Sequence, residues 1–410
     1  MGLRSYIIAR VLLTIPMILL LLSIVFIVIR VMPGDPVALH FERRGSEEAM
    51  EEMRQRLGLD KPLYVQYFEY LGGLFKGDFG KSMQDYSPVG EQIFSAFPAT
   101  LELAIFSVLI AIIVGLLLGV RASQSYNSLQ DHSIRAFGII AYAIPVFFLG
   151  MILQLIFAVE LRWFPTGLRT RATMEPYGLT LYLSEPVGGF VTVLLWTFPI
   201  GLICWGLCFV VLKRKRVKLW PKGFLLSLLA FFAGLTVGTF ATWHFMSAGV
   251  LYISTGLFTI DSLLEGNVVK FVEALKGLCL PSLTLGIVLS GVFIRLTRSN
   301  MLETLRVDYV TAARARGLKE RVVVYGYALR NAFLPILTMM GLQFATLLGG
   351  AILTETTFSW PGLGRYLVAR INYRDYTAIQ GAVVYFGIIV ALVNLVVDIF
   401  YAYLDPRIRL

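Results

Sequence analysis

The stretch IIARVLLTIPMILLLLSIVFIVIRV, residues 7–31, decides the class of this chain: its only charged residues, Arg10 and Arg30, lie towards its two ends. Roughly 20 consecutive apolar residues cross the hydrocarbon core of a bilayer as a helix, which satisfies its own backbone hydrogen bonds there. The run exceeds the roughly 7–15-residue core of a signal peptide and lacks a small-residue cleavage site, so it reads as a retained helix. It stops at Pro33-Gly34-Asp35-Pro36, where two prolines and a glycine forbid continuation. Working outward, further apolar runs cover Thr100–Val120, Ala136–Val159, Val187–Leu212, Phe224–Phe245, Leu278–Ile294, Phe333–Leu353 and Gly381–Tyr403. The expectation is an all-α polytopic membrane protein of about eight transmembrane helices.

Composition agrees. Of 410 residues, 57% are hydrophobic and 15% charged, against roughly 25% charged in a soluble domain. The net charge of +10 does not point to nucleic acid, because basic residues accumulate in the cytoplasmic loops of membrane proteins. The six cations of Lys213-Arg214-Lys215-Arg216, Lys218 and Lys222, with no acid among them, mark one loop as inside. An anionic-lipid site is a second reading of that cluster. Cys204, Cys208 and Cys279 lie in or beside apolar runs and form no disulfide or zinc framework. His40, His132 and His244 are scattered outside ligand spacing, so no metal site is expected.

Residues 33–98 carry seven basic and eleven acidic residues, which favours the outside. Ser46 is placed to cap a short helix opening with Glu47 and Glu48, and Gly58 to end it. A small external subdomain follows the first helix. An even number of spans puts both termini inside, together with residues 300–332, where six basic residues face three acidic.

That last loop opens the segment DYVTAARARGLKERVVVYGYALRNAFLPILTMMG, Asp308–Gly341. Leu302, Leu305, Tyr309, Ala312 and Ala313 fall near one face of a helix. Gly317 is suited to end it in the left-handed conformation. A second short helix through Val323 and Tyr327 then leads to Pro335, making a rigid elbow.

The run Thr311-Ala312-Ala313, then Gly317, then Leu334-Pro335, resembles the coupling loop of permeases in binding-protein-dependent ATP-binding-cassette importers. Thr311 stands where the family usually has Glu, and the Gly-to-Pro spacing is similar to that of the dipeptide, oligopeptide and nickel branch, in its first-permease or B-type subunit. PGDP (33–36), LGLDKPLYVQY (57–67), GDFGKS (77–82), PATLEL (98–103), TGLFTIDSLLEGN (255–267), ETTFSWPGLGRYL (355–367) and YAYLDPRIR (401–409) extend the resemblance in order along the chain. It implies a six-helix permease, made of the first helix and a five-helix core, residues 99–166 and 253–410, with a coupling loop at 299–332. The first helix, 1–32, and the subdomain, 33–98, precede it. Residues 167–252 are then an insertion carrying two extra spans. The resemblance implies ATPase coupling through Tyr309, Thr311, Ala312, Ala313, Gly317, Leu334 and Pro335. It also implies a second homologous permease subunit, two ATPase subunits that bind ATP and magnesium, and an extracytoplasmic solute-binding protein. The location is a plasma or inner cell membrane. Peptide is the family's default cargo, with oligosaccharide or a nickel chelate as alternatives.

The loop after the seventh span, with Glu355, Trp360, Pro361, Gly362 and Gly364, is expected to fold tightly over the outer mouth as a gate or binding-protein docking element. Gln154, Gln343 and Thr346 are candidate lining groups of the path. Gly115 and Gly119, spaced GxxxG, mean close helix packing; Pro145 and Pro199 mean kinks. Glu102 and Asp398, ionisable groups in or near spans, are either functional or structurally paired. Gly80-Lys81-Ser82 is not a phosphate-binding loop, since Phe75 stands where its first glycine belongs. No catalytic constellation and no cofactor of the chain's own are expected. An ion-coupled secondary transporter is the alternative of another class, but the internal repeat it requires is not seen.

Overall fold

The computed structural model describes residues 3–31, 37–38, 41, 46–167, 181–183, 251–253, 255–264 and 267–404. Their helices are α1 (Leu3–Val31), α2 (Glu47–Arg56), α3 (Leu63–Phe75), α4 (Val89–Gln124), α5 (Leu129–Ala143), α6 (Val146–Leu153), α7 (Phe258–Leu264), α8 (Val268–Thr304), α9 (Asp308–Ala315), α10 (Leu329–Gly350), α11 (Ile352–Thr357), α12 (Leu363–Asn372) and α13 (Tyr376–Leu404). Five helices among the described residues are long and apolar enough to span a membrane, or six if the bent pair α5–α6 counts as one. The expected inserted spans, Val187–Leu212 and Phe224–Phe245, the KRKR cluster and Pro199 lie outside the described residues. Among the described residues the regular structure is helical apart from a two-strand antiparallel ribbon, in which Leu181–Leu183 pairs with Leu251–Ile253.

The chain divides into two compact units, Met1–Arg169 with Gly277–Leu410, and Thr170–Lys276. The second unit reaches beyond residue 252 to include α7 and the first turns of α8.

Three expected boundaries move. The helix of the second span starts at Val89, with Pro98 inside it, ahead of the expected start at Thr100. The expected third span, Ala136–Val159, is two helices bent by 102°. Ile144 takes an extended conformation (ψ 128°) because a residue before proline is forced out of the helical region. The expected second short helix of the elbow is continuous with α10: a helical turn at Glu320–Val322 passes through a π-helical stretch, Val323–Ala328, into Leu329–Gly350.

Small residues set how closely the spans approach. A Cβ on Gly115 would stand 2.2 Å from the Phe293 Cβ, and one on Gly119 would stand 2.5 Å from the Thr297 Cβ. The GxxxG pair is thus the seat for one face of α8. Gly286 returns the relation against Ile110 and Ser107. The core at this crossing includes Ala99, Leu103, Val108, Leu278, Leu285 and Leu348.

Helix ends follow the expected chemistry. Ser46 Oγ accepts from Ala49 N at 3.2 Å. Gly58 (φ +64°) and Gly317 (φ +73°) sit in the left-handed conformation just past α2 and α9. α1 packs along α13, where Arg10 pairs with Asp398 at 3.1 Å. Asp398 therefore has a structural partner. Glu102 is buried.

Candidate functional site

Two assemblies at opposite ends of the bundle carry the residues singled out in the sequence. The first is the elbow. α8 ends at Thr304, and the chain turns through Leu305–Val307 before α9. That break shifts the helical phase, so the single face expected for Leu302, Leu305, Tyr309, Ala312 and Ala313 is split. Val310 and Ala313 are buried against Val120, Met301, Val323 and Val324, while Tyr309, Thr311 and Ala312 face outward. At the end of α9, Gly317 N–H donates to Arg314 O (2.9 Å) and Leu318 N–H to Ala313 O (3.4 Å), the paired closure of a left-handed C-cap. Arg314 and Glu320 bridge the turn at 2.7 Å, and each draws the other's charged form forward: the guanidinium holds the Glu320 carboxyl below its ordinary value. The Asn331 amide donates to the Tyr309 hydroxyl at 2.7 Å, tying α9 to α10. Pro335 is exposed and Leu334 half-buried in α10. The elbow is thus rooted in the bundle by Val310 and Ala313 and braced across its exposed side by the Arg314–Glu320 and Tyr309–Asn331 contacts.

Close by, sequence reading missed a buried ion pair. Arg298 of α8 donates to both carboxylate oxygens of Asp131, from Nε at 2.6 Å and Nη2 at 2.7 Å. Asp131 is fully buried, and Asn127 N–H also donates to it at 3.0 Å. This locks the 125–128 turn and the start of α5 to the end of α8 that leads into the elbow.

The second assembly is a latch built on Glu355, in α11. Its side chain is wholly buried. Thr100 Oγ1 donates to Oε1 at 2.6 Å, Arg365 N–H donates to Oε2 at 2.9 Å, and the Gly364 N–H points at the same group. Thr100 Oγ1 also accepts from Leu363 N–H at 2.8 Å. The first amides of α12, which have no partner within their own helix, therefore find acceptors in α4 and α11. Burial pushes the Glu355 carboxyl above its ordinary value, against the pull of these donors.

Gly362 and Gly364 explain themselves here. A Cβ at 362 would stand 2.4 Å from the Glu355 carboxyl carbon, and one at 364 would stand 2.9 Å from Oε2. Only backbone without side chains lets the carboxylate approach. Between them and α11, Ser359 takes φ +50° and Trp360 turns inward, 2% exposed, its Nε1 donating to Ala99 O at 2.8 Å. Pro361 is half-buried at the turn. Glu355, Trp360, Gly362 and Gly364 thus form one cluster.

Further contacts carry the latch to the 82–87 segment ahead of α4. Asp375, also fully buried, accepts from Ser82 Oγ (2.6 Å), Met83 N (3.1 Å) and Ala378 N (3.2 Å), which caps α13 and clamps the 82–83 turn to it. Arg370 reaches Asp85 at 3.5 Å and stacks over Tyr366 at 5.1 Å. Asp85 is partly desolvated, but hydrogen bonds from Ser87 and Ser82 and the charge of Arg370 bring it down to about 2. Burial raises the Tyr366 hydroxyl to about 12. Thr100 carried no sequence signal beyond lying in PATLEL, and Asp375, equally central to this network, lies outside every segment singled out in the sequence.

The three candidate lining residues do not assemble into one group. Gln154 spends its amide on the backbone carbonyls of Thr166 and Thr357. Thr346 is exposed, its hydroxyl bonded back to Leu342 O, and Gln343 is half-buried in α10. No hydrogen bond among the described residues joins them.

A helical bundle with a braced elbow on one face and a latched loop on the other is a multi-pass membrane permease. Comparison with known proteins gives the family. Residues 111–410 match the model of the binding-protein-dependent transport system inner membrane component, and residues 3–104 match the N-terminal model of the same systems. The chain belongs to this family. It is similar to the di/tripeptide transport system permease protein DppB of Pseudomonas aeruginosa, at 37% identity over 99% of this chain and 98% of that protein. It is also similar to the dipeptide permease DppB of Alkalihalophilus pseudofirmus (33%, 99% of each) and the glutathione permease GsiC of Salmonella choleraesuis (32%, 99% of each). Members are transport subunits, not enzymes.

Proposed function

We propose that the chain forms half of the translocation pathway of an ATP-driven importer of di- and oligopeptides in a cell membrane, with both termini cytoplasmic. The carrying observation is the elbow: a short helix, closed at Gly317 and braced by Arg314–Glu320, presents Tyr309, Thr311 and Ala312 outward while Val310 and Ala313 root it in the bundle. Such a rigid projection transmits a push. Its partners are two ATPase subunits that bind ATP and magnesium, a second homologous permease subunit, and a solute-binding protein on the opposite face. The latch around Glu355 and Trp360 is the outer gate or docking element. Residues 99–166 and 253–410 form the permease core, and residues 167–252 are inserted into it.

Peptide is the cargo named for the relatives at 37% and 33% identity. Reconstitution of the chain with its permease, ATPase and binding-protein partners should give ATP-dependent uptake of labelled di- and tripeptides. Uptake of oligosaccharide or nickel chelate instead would replace the cargo. Uptake by the chain alone would overturn the mechanism. Trp360→Ala should impair binding-protein-stimulated uptake; unchanged uptake would remove the gate.

A further inference from the structure

A cleft of about 390 Å³ opens on the latch side of the molecule, between the end of α1, α3, the 78–83 loop and the start of α13. Three of the seven side-chain polar atoms buried without a hydrogen-bond partner among the described residues belong to residues lining it: Arg30 Nε, Tyr70 OH and Gln380 Nε2. Tyr70 and Gln380 are neighbours without a hydrogen bond of good geometry between them. The Arg30 guanidinium lies 5.6 Å from the centre of the Phe26 ring and meets no carboxylate among the described residues. The acids at the rim are engaged elsewhere, Glu69 with Lys61 at 2.7 Å and Asp78 with Gly80 N–H at 2.8 Å. Buried donors without acceptors are costly, and here a guanidinium that pairs with no carboxylate among the described residues and an amide line one cleft. An anionic acceptor would satisfy both.

α3 supplies the second observation. Its inner side packs on α1, with Tyr67 against Phe26 at 5.3 Å and hydrogen-bonded to Ser23 at 2.6 Å. On the other side Tyr64, Phe68 and Phe75, spaced four and seven residues apart, are 67%, 68% and 79% exposed. An amphipathic helix with an outward aromatic face, attached to the end of a spanning helix, lies in the plane of the membrane interface. The cleft behind it is therefore at headgroup depth.

We propose that this cleft binds the phosphate of an anionic phospholipid, held by Arg30 and Gln380, with α3 resting in the same leaflet. The proposal needs only that the chain is a membrane protein, so it stands or falls independently of cargo and ATPase coupling. The test measures melting of the purified full chain in detergent during titration with phosphatidylglycerol, phosphatidylcholine or inorganic phosphate. Phosphatidylglycerol should stabilise it most. Arg30→Gln should raise the half-saturating concentration about tenfold, a difference of about 1.4 kcal/mol, and Gln380→Leu, which leaves the charge in place, should raise it less. Arg306→Gln, removing a charge at the elbow, should change nothing. Equal shifts from the two lipids, full stabilisation by inorganic phosphate alone, or an undiminished response in both Arg30→Gln and Gln380→Leu would overturn it.

Discussion

Replacing Glu355 with alanine removes the acceptor for Thr100 Oγ1, Arg365 N–H and Gly364 N–H at a site with no exposed surface. Each buried donor left without a partner costs about 1–3 kcal/mol. Water entering the vacated space recovers part of this, so the local loss is about 3 kcal/mol. At about 1.4 kcal/mol per tenfold, the segment from Phe358 to Tyr366 should open about a hundredfold more often. Amide hydrogen exchange of the reconstituted protein reads this directly. Exchange should accelerate there and at the start of α12 but not in α9, and binding-protein-stimulated transport should fall with it. Glu355→Gln keeps one acceptor oxygen and should show a smaller effect. The carboxyl's raised pKa adds a sign: the folded state holds its proton to higher pH than the unfolded chain, so stability is greatest below the ordinary value of 4.5 and declines as pH rises through the raised one. Glu355→Gln should flatten that decline. Unchanged exchange in Glu355→Ala would refute the latch.

Gly119→Leu should disrupt the α4–α8 crossing, because even a Cβ meets Thr297 at 2.5 Å; overpacking costs about 1–3 kcal/mol and should appear as a lowered melting temperature in detergent. Gly317→Ala meets nothing within 4 Å, so only its φ of +73° is penalised, about 1 kcal/mol, read as faster exchange confined to the elbow. Asp131→Ala strands the Arg298 guanidinium, 19% exposed, and should cost about 3–5 kcal/mol; Asp131→Ala combined with Arg298→Met should recover much of that loss.

What the sequence displayed was local physics. Charge-free runs revealed the spans within the described residues, Ser46 and Gly58 bounded α2, and Gly317 closed α9, because capping needs only residues within one turn. GxxxG announced a close approach without saying that Phe293 and Thr297 were the partners. The latch's donors and the ion pair beside the elbow stayed hidden because Thr100 and Glu355 are 255 positions apart and Asp131 and Arg298 are 167 apart. A lone carboxylate in an apolar setting does not declare its donors. Pro145 announced a kink but not its size: the apolar run continues through it, and only the backbone of Ile144 distinguishes a modest kink from a turn of 102°. The split of the elbow's face likewise depends on three non-helical residues, Leu305–Val307, whose composition does not mark a break.

If α9 is the surface an ATPase grips, cross-linking in the assembled complex will report it. Ala312→Cys faces outward, whereas Ala313→Cys, one residue along, lies at 3% exposure against the bundle. With a short bifunctional thiol reagent, the variant at 312 should join to the ATPase subunit, and more strongly or weakly as nucleotide changes, while the variant at 313 should not. No cross-link at 312, or one at 313 alone, would rule out α9 as the ATPase-facing surface.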